Sequence, residues 1–154
     1  MFLLDTNVIS ALRKANEQGE DSRLADWARR EQADQMYLSV ISAFELEIGV
    51  LRLERRDPRQ GRRLREWLEL QVLESFRDRI LDVDLDVVRC CAELNVPDPM
   101  SERMSERDSL IAATALIHQM TVVTRNERDF KHCSVDVINP WEISVNEPRR
   151  RYRR

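Results

Sequence analysis

Five short apolar or β-branched runs, Phe2–Leu4, Met36–Val40, Ile80–Val83, Thr121–Thr124 and Val135–Ile138, are separated by longer stretches of helical periodicity. A strand buried on both faces of a parallel sheet reads as a short unbroken apolar run, whereas a helix lying on that sheet shows its apolar residues at intervals of three and four. The alternation predicts an α/β fold with a mainly parallel sheet of about five strands, flanked by helices on both faces. Helices are expected at Val8–Arg13, over residues 22–32, from Ser42 to the Asp57-Pro58 break, and at Gln60–Leu73, Val87–Leu94 and Glu106–Gln119. Asp57-Pro58-Arg59 reads as the turn of a helical hairpin, and Asn95 to Ser105, with Asp98 between two prolines, as a loop. In Glu106–Gln119 the expected apolar face is Leu110, Ala113 and Ile117, with Thr114 beside it.

A chain of 154 residues is long enough for one core and short for two, so residues 1–143 are expected to form a single domain and residues 144–154 a solvated basic tail. Five arginines among residues 149–154 hide an acidic body: the whole chain carries −3, and without that tail −8. No apolar run approaches the roughly 18 residues of a membrane span. Met1-Phe2-Leu3-Leu4-Asp5 enters the first strand without a basic leader, so a cytoplasmic protein with no membrane association is expected. Cys90, Cys91 and Cys133 have neither disulfide-framework nor zinc spacing and read as free thiols. His118 and His132 read as surface residues, and Trp27, Trp67 and Trp141 as core or interface anchors.

In open parallel sheets, ligands gather beyond the carboxyl ends of the strands, where the strand order reverses. Asp5 and Asn7 follow the first strand, while Thr124, Asn126 and Asp129 lie at or past the end of the fourth. Glu45 and Asp108 fall in the first turns of helices that start on the same side. Four acids distant in sequence can thus share one cleft. Carboxylates so gathered repel one another unless a cation neutralises them, and oxygen-only donors suit Mg²⁺ or Mn²⁺ rather than zinc. Two such ions about 4 Å apart can activate water and clamp a phosphodiester. The chemistry that fits is hydrolysis of a nucleic-acid backbone. Against this stands a plainer reading of single residues: Ser42-x-x-Glu45 and Ser105-x-x-Asp108 can both be helix-capping boxes.

Particular strings sharpen the picture. Leu3-Leu4-Asp5-Thr6-Asn7-Val8-Ile9-Ser10, Ser42-Ala43-Phe44-Glu45-Leu46 with Gly49-Val50, Asp108-Ser109-Leu110-Ile111-Ala112-Ala113-Thr114-Ala115, Thr124-Arg125-Asn126 with Asp129-Phe130, and Ile138-Asn139-Pro140-Trp141 occur in order. Together they resemble PIN-domain ribonucleases of the VapC toxin type from residue 1 to about 143. The resemblance implies a PIN-like fold, a Mg²⁺- or Mn²⁺-binding acidic cleft and endoribonuclease action. It makes Asp5 and Asp108 the principal metal ligands, gives Glu45 the second ion or its water, and lets Asp129 complete the set. Thr6 and Asn7 would orient Asp5, and Thr124 and Asn126 would tune the cleft. It also implies a homodimer and a VapB-like antitoxin lying across the cleft, with the helical pair 42–73 as a surface for such contacts. In one respect the chain departs from the pattern: where many relatives carry an acid two residues after the threonine of the fourth motif, it has Asn126.

Three other readings compete. A metal-dependent nuclease for DNA flaps or ends needs additional helices to grip a duplex, for which there is little room. A PIN module that binds RNA or a partner without catalysis would not need Asp5, Glu45, Asp108 and Asp129 together. A phosphorylatable receiver domain needs a lysine after a late strand, where Arg125 and Asn126 stand instead.

Overall fold

The computed structural model describes residues 1–18, 22–96 and 104–143. Asp98 and the basic tail, 144–154, lie outside them. The strands are β1 (Phe2–Leu4), β2 (Met36–Ser39), β3 (Ile80–Leu81), β4 (Thr121–Val123) and β5 (Val137–Ile138). They form one sheet in the order β3-β2-β1-β4-β5, with every neighbouring pair parallel. From β1 the chain builds outward through β2 to β3, then returns across the sheet to start β4 on the other side of β1. The order therefore reverses between β1 and β4, whose register pairs Leu4 with Val123.

Period-two alternation divides the sheet's side chains between two cores. Leu4, Leu38 and Val123 face one way, into a cluster with Val8 and Ile9 of α1 (Thr6–Gln18), Leu24 and Trp27 of α2 (Ser22–Arg30), and Leu46 and Val50 of α3 (Val40–Arg56). Leu3 and Val122 face the other way, against Ile111, Ala112 and Ala115 of α6 (Glu106–Ile117) and against Phe130. Helix α5 (Leu85–Leu94) packs along α6. Trp27 is buried edge-on against Phe2, with ring centroids 5.5 Å apart, and Trp67 and Trp141 are half-buried against the same cluster. His132 is exposed and His118, which caps α6, is half-buried; the three cysteines are free and half-buried. No helix among the described residues is long and apolar enough to cross a membrane.

Several boundaries differ from expectation, each for a local reason. Helix α1 starts at Thr6 rather than Val8, because the Asp5 carbonyl already accepts from Val8 N at 3.0 Å and its carboxylate accepts from Thr6 N at 2.7 Å. Helix α3 starts at Val40 rather than Ser42; its cap is Ser39, whose Oγ accepts from Ile41 N at 3.1 Å. Strand β2 correspondingly stops at Ser39, and β3, β4 and β5 are shorter than the apolar runs that announce them. The hairpin turn shrinks to Asp57, which ends α3 and caps α4 (Pro58–Trp67), Pro58 being already helical. Residues Leu68–Leu73 continue α4 as a π-helical turn. Helix α5 begins two residues early, capped by Asp84. Helix α6 ends at Ile117, with Gln119 in the left-handed region at φ 53° and Met120 N donating to Ala115 O at 2.8 Å.

The apolar face expected of α6 is also displaced. Ile117 is exposed, while Ile111, Ala112, Ala113, Thr114 and Ala115 are all buried. With the sheet on one side and α5 on another, this helix is enclosed over more than a single stripe, so periodicity alone misplaces its face.

The α3–α4 hairpin is held by contact and charge. A Cβ added to Gly61 would lie 2.4 Å from Glu54 Cα, so the two helices approach closer than any side chain there permits. One turn further along, the Arg65 guanidinium bridges Glu47 at 2.6 Å and Glu54 at 3.2 Å.

Candidate active site

The site lies beyond the carboxyl ends of β1 and β4, at the reversal point of the sheet. Asp5 directly follows β1, and its own N–H donates to Val123 O at 3.0 Å, so the sheet ladder fixes its backbone. Its side chain is buried, 6% exposed, with both oxygens engaged. Oδ1 accepts from Thr6 N at 2.7 Å, while Oδ2 accepts from Asn7 Nδ2 at 2.6 Å and from Thr124 Oγ1 at 2.7 Å. Thr124 Oγ1 in turn accepts from Asn7 Nδ2 and from Asn126 N, each at 3.0 Å, and Asn7 Oδ1 accepts from Arg125 N at 3.2 Å. The end of β1 and the end of β4 are thus bound to each other through one carboxylate, one amide and one hydroxyl.

Glu45 belongs to this centre and not to a cap. Ser39 caps α3, and the Ser42 Oγ donates across to Leu4 O at 3.3 Å, drawing the helix start onto β1. Glu45 Oε2 accepts from Thr6 Oγ1 at 2.5 Å, and Oε1 lies 3.4 Å from Arg107 Nη1. Asp108 does both things: Ser105 Oγ caps α6 by accepting from Asp108 N at 3.1 Å, and also donates to Asp108 Oδ2 at 2.5 Å. Asp129 is exposed on the 3₁₀ turn Glu127–Phe130. Asn126 is exposed, and its backbone is what ties it to Thr124.

The acids also act on one another through charge. Burial pushes the Asp5 carboxyl up from 3.8 to about 6; the hydrogen bonds from Thr124 and Thr6 oppose the rise, and the charges of Asp108 and Glu45 add to it. Burial also raises the Asp108 carboxyl against the hydrogen bond from Ser105, and the charges of Asp129 and Glu45 reinforce the rise. Asp5, Glu45 and Asp108 therefore lie within one another's field, and Asp129 within that of Asp108.

The donors are oxygens alone, the set suited to a hard divalent cation, and the excess negative charge is what such a cation would relieve. Among the described residues no three acidic, histidine or cysteine side chains converge tightly enough to cage an ion unaided. That arrangement fits a hydrated ion such as Mg²⁺, which keeps waters and needs one or two carboxylates plus substrate oxygens.

Arg107 is the residue that sequence reasoning overlooked. A cation in the first turn of a helix opposes the helix dipole, so its place beside Asp108 was a sign that it has a carboxylate to meet.

Thr124 offers a direct test of this wiring. It is fully buried, and Thr124→Val deletes the hydroxyl that joins Asp5, Asn7 and Asn126 while keeping the shape. Were Asp5 to ligate a cation, losing the group that orients it should lower metal affinity or activity about 10- to 100-fold. Isothermal titration with Mn²⁺ reads this directly, and unchanged affinity would remove Thr124 from the site.

The fold and this centre are those of an α/β domain with acids gathered beyond the reversal point of its sheet, and comparison with known proteins specifies which. The PIN domain family model matches residues 2–135, and the chain belongs to that family. It is 37% identical over 146 residues to the VapC ribonuclease Y4jK of Sinorhizobium fredii, covering 92% of this chain and 99% of that protein. It is 34% identical over 142 residues to the toxin FitB of Neisseria gonorrhoeae, covering 92% and 99%. Among solved structures, it superposes on FitAcB from Neisseria gonorrhoeae with a TM-score of 0.82 at 33% identity, covering 93% of this chain and 100% of the other. The corresponding values for FitAB bound to an IR36 DNA fragment are 0.83, 32%, 96% and 100%.

Proposed function

We propose that this protein is the toxin of a type II toxin–antitoxin module and acts as a Mg²⁺- or Mn²⁺-dependent endoribonuclease. The observation that carries the reading is that Asp5, Glu45 and Asp108 lie within one another's field beyond the β1/β4 reversal point, each carboxylate held by a dedicated hydroxyl or amide donor. Support comes from relatives named as a VapC ribonuclease and as the toxin FitB. Asp5 and Asp108 would hold the cation, with Glu45 and Asp129 as its outer acids. A bound divalent cation supplies Lewis acidity toward the phosphodiester and lowers the pKa of a water. The chain's own part is positional: Asn7, Thr6 and Thr124 fix the direction of the Asp5 carboxylate, Ser105 fixes that of Asp108, and Thr6 ties Glu45 to the same turn.

The partners we propose are a cognate VapB-like antitoxin covering the cleft and a second copy of the chain. The solved complex FitAB favours an antitoxin partner by analogy. The test is cleavage of total bacterial RNA by antitoxin-free protein with Mg²⁺, with Mn²⁺ and with EDTA. Discrete fragments are expected with either metal and none with EDTA or in Asp108→Asn. Intact RNA with metal present would instead favour a binding module without catalysis.

A further inference from the structure

Two arginine–aromatic pairs stand on the two walls of the acidic cleft. On the wall built by α3 and α6, the Arg107 guanidinium carbon lies 5.3 Å from the centre of the Phe44 ring. These residues immediately precede Asp108 and Glu45, and Arg107 also pairs with Glu45. On the wall at the end of β4, the Arg125 guanidinium carbon lies 5.4 Å from the Trp141 ring centre. Arg125 N is fastened to Asn7, and the Trp141 backbone is pinned at both ends, its N–H donating to Asn139 Oδ1 at 3.1 Å and its carbonyl accepting from Arg23 at 2.9 Å.

Trp141 packs against the core, but the other three members of these pairs are not needed by it. Phe44 is 51% exposed and the Arg107 side chain 49%, and Arg125 is exposed. An acidic cleft repels a polyanion, so a nucleic acid entering it needs local cations that are already in place. A guanidinium supplies a planar fork for phosphate oxygens, and a ring beneath it keeps that fork oriented. A half-exposed ring beside the acids also offers a face on which a base can stack, which every base can use and no paired base can reach.

Building on the RNA-cleavage reading above, we propose that the Phe44–Arg107 and Arg125–Trp141 pairs grip single-stranded RNA on either side of the acidic cleft. Phe44 stacks a splayed base, the two guanidiniums hold phosphates, and Trp141 acts as the backing that aims Arg125.

The experiment uses the full chain carrying Asp5→Asn, so that bound RNA stays intact. Fluorescence anisotropy follows a labelled single-stranded RNA and the same RNA annealed to its complement, before and after adding Phe44→Leu, Phe44→Tyr or Arg107→Gln. The single strand is expected to bind at least tenfold tighter than the duplex. Phe44→Leu and Arg107→Gln should each weaken it about tenfold, and Phe44→Tyr should restore it. In the otherwise unaltered enzyme Phe44→Leu should raise KM with little change in kcat, while thermal melting stays unchanged. Single-strand binding indifferent to both substitutions, or equal binding of duplex, overturns the clamp. Clamp-dependent binding without any cleavage by the unaltered protein leaves the clamp standing and overturns the ribonuclease reading. No RNA binding at all overturns both.

Discussion

Asp5→Asn is expected to give a protein that melts higher than the parent in metal-free buffer and cuts no RNA. In the folded chain the Asp5 carboxyl titrates at about 6, against 3.8 when exposed. Between these values the folded state keeps a proton that the unfolded state has released, so stability falls as pH rises through the window and is level above it. The gap amounts to about 3 kcal/mol at neutral pH. Asparagine escapes it but must rearrange the bonds with Asn7 and Thr124, leaving a net gain of about 1 to 2 kcal/mol, or a few degrees in melting temperature. The activity lost should be about a thousandfold or more, because several kcal/mol of charge stabilisation depend on the cation that Asp5 would hold. Melting curves at pH 4 and pH 7.5 in EDTA are the check, since the advantage should shrink at the lower pH where the parent is protonated. Added Mg²⁺ should raise the parent's melting temperature and not the variant's. A variant no more stable at pH 7.5 than its parent would mean that the burial of Asp5 is relieved by something other than a cation.

Gly61→Ala is the second large effect, with the opposite sign to its helix propensity. In an exposed helix alanine gains about 1 kcal/mol over glycine. Here its methyl would press on backbone, 2.4 Å from Glu54 Cα and 2.6 Å from Glu54 N, and backbone cannot rotate aside as a side-chain tip does. Separating α3 from α4 would also stretch the Arg65 bridge to Glu54. Overpacking of this kind costs about 1 to 3 kcal/mol, and the loss should fall in the upper part of that range. Urea unfolding followed by far-ultraviolet circular dichroism measures it. A stabilised Gly61→Ala protein would show that the hairpin is free to open by the roughly 1 Å required.

The placement of the centre was legible because it follows from sheet topology. An acid closing an all-apolar strand, and a Thr-x-Asn closing a later one, must meet if those strands are neighbours, and β1 and β4 are. Helix starts were less legible, since they depend on caps donated by strand ends: Asp5 and Ser39 serve the sheet and the following helix at once. Glu45 was open to two readings in the sequence because Ser42 has the right spacing for a cap. Only three-dimensional packing directs Ser42 to Leu4 O and leaves Glu45 for Thr6. Contacts between segments remote in the chain, such as Arg107 with Phe44 and Arg125 with Trp141, leave no periodicity to find.

The division of Leu3 and Leu4 between opposite cores has a bearing on how such a chain can change in length over its history. Inserting or deleting one residue within Phe2–Leu4 would send each leucine to the other face, and would carry Asp5 off the ladder position it shares with Val123. Foldability and chemistry are therefore written in the same four residues, Phe2 to Asp5. Length variation tolerated by lineages of this protein should collect in the connections between helices, while the spacing from Phe2 to Asp5 stays invariant.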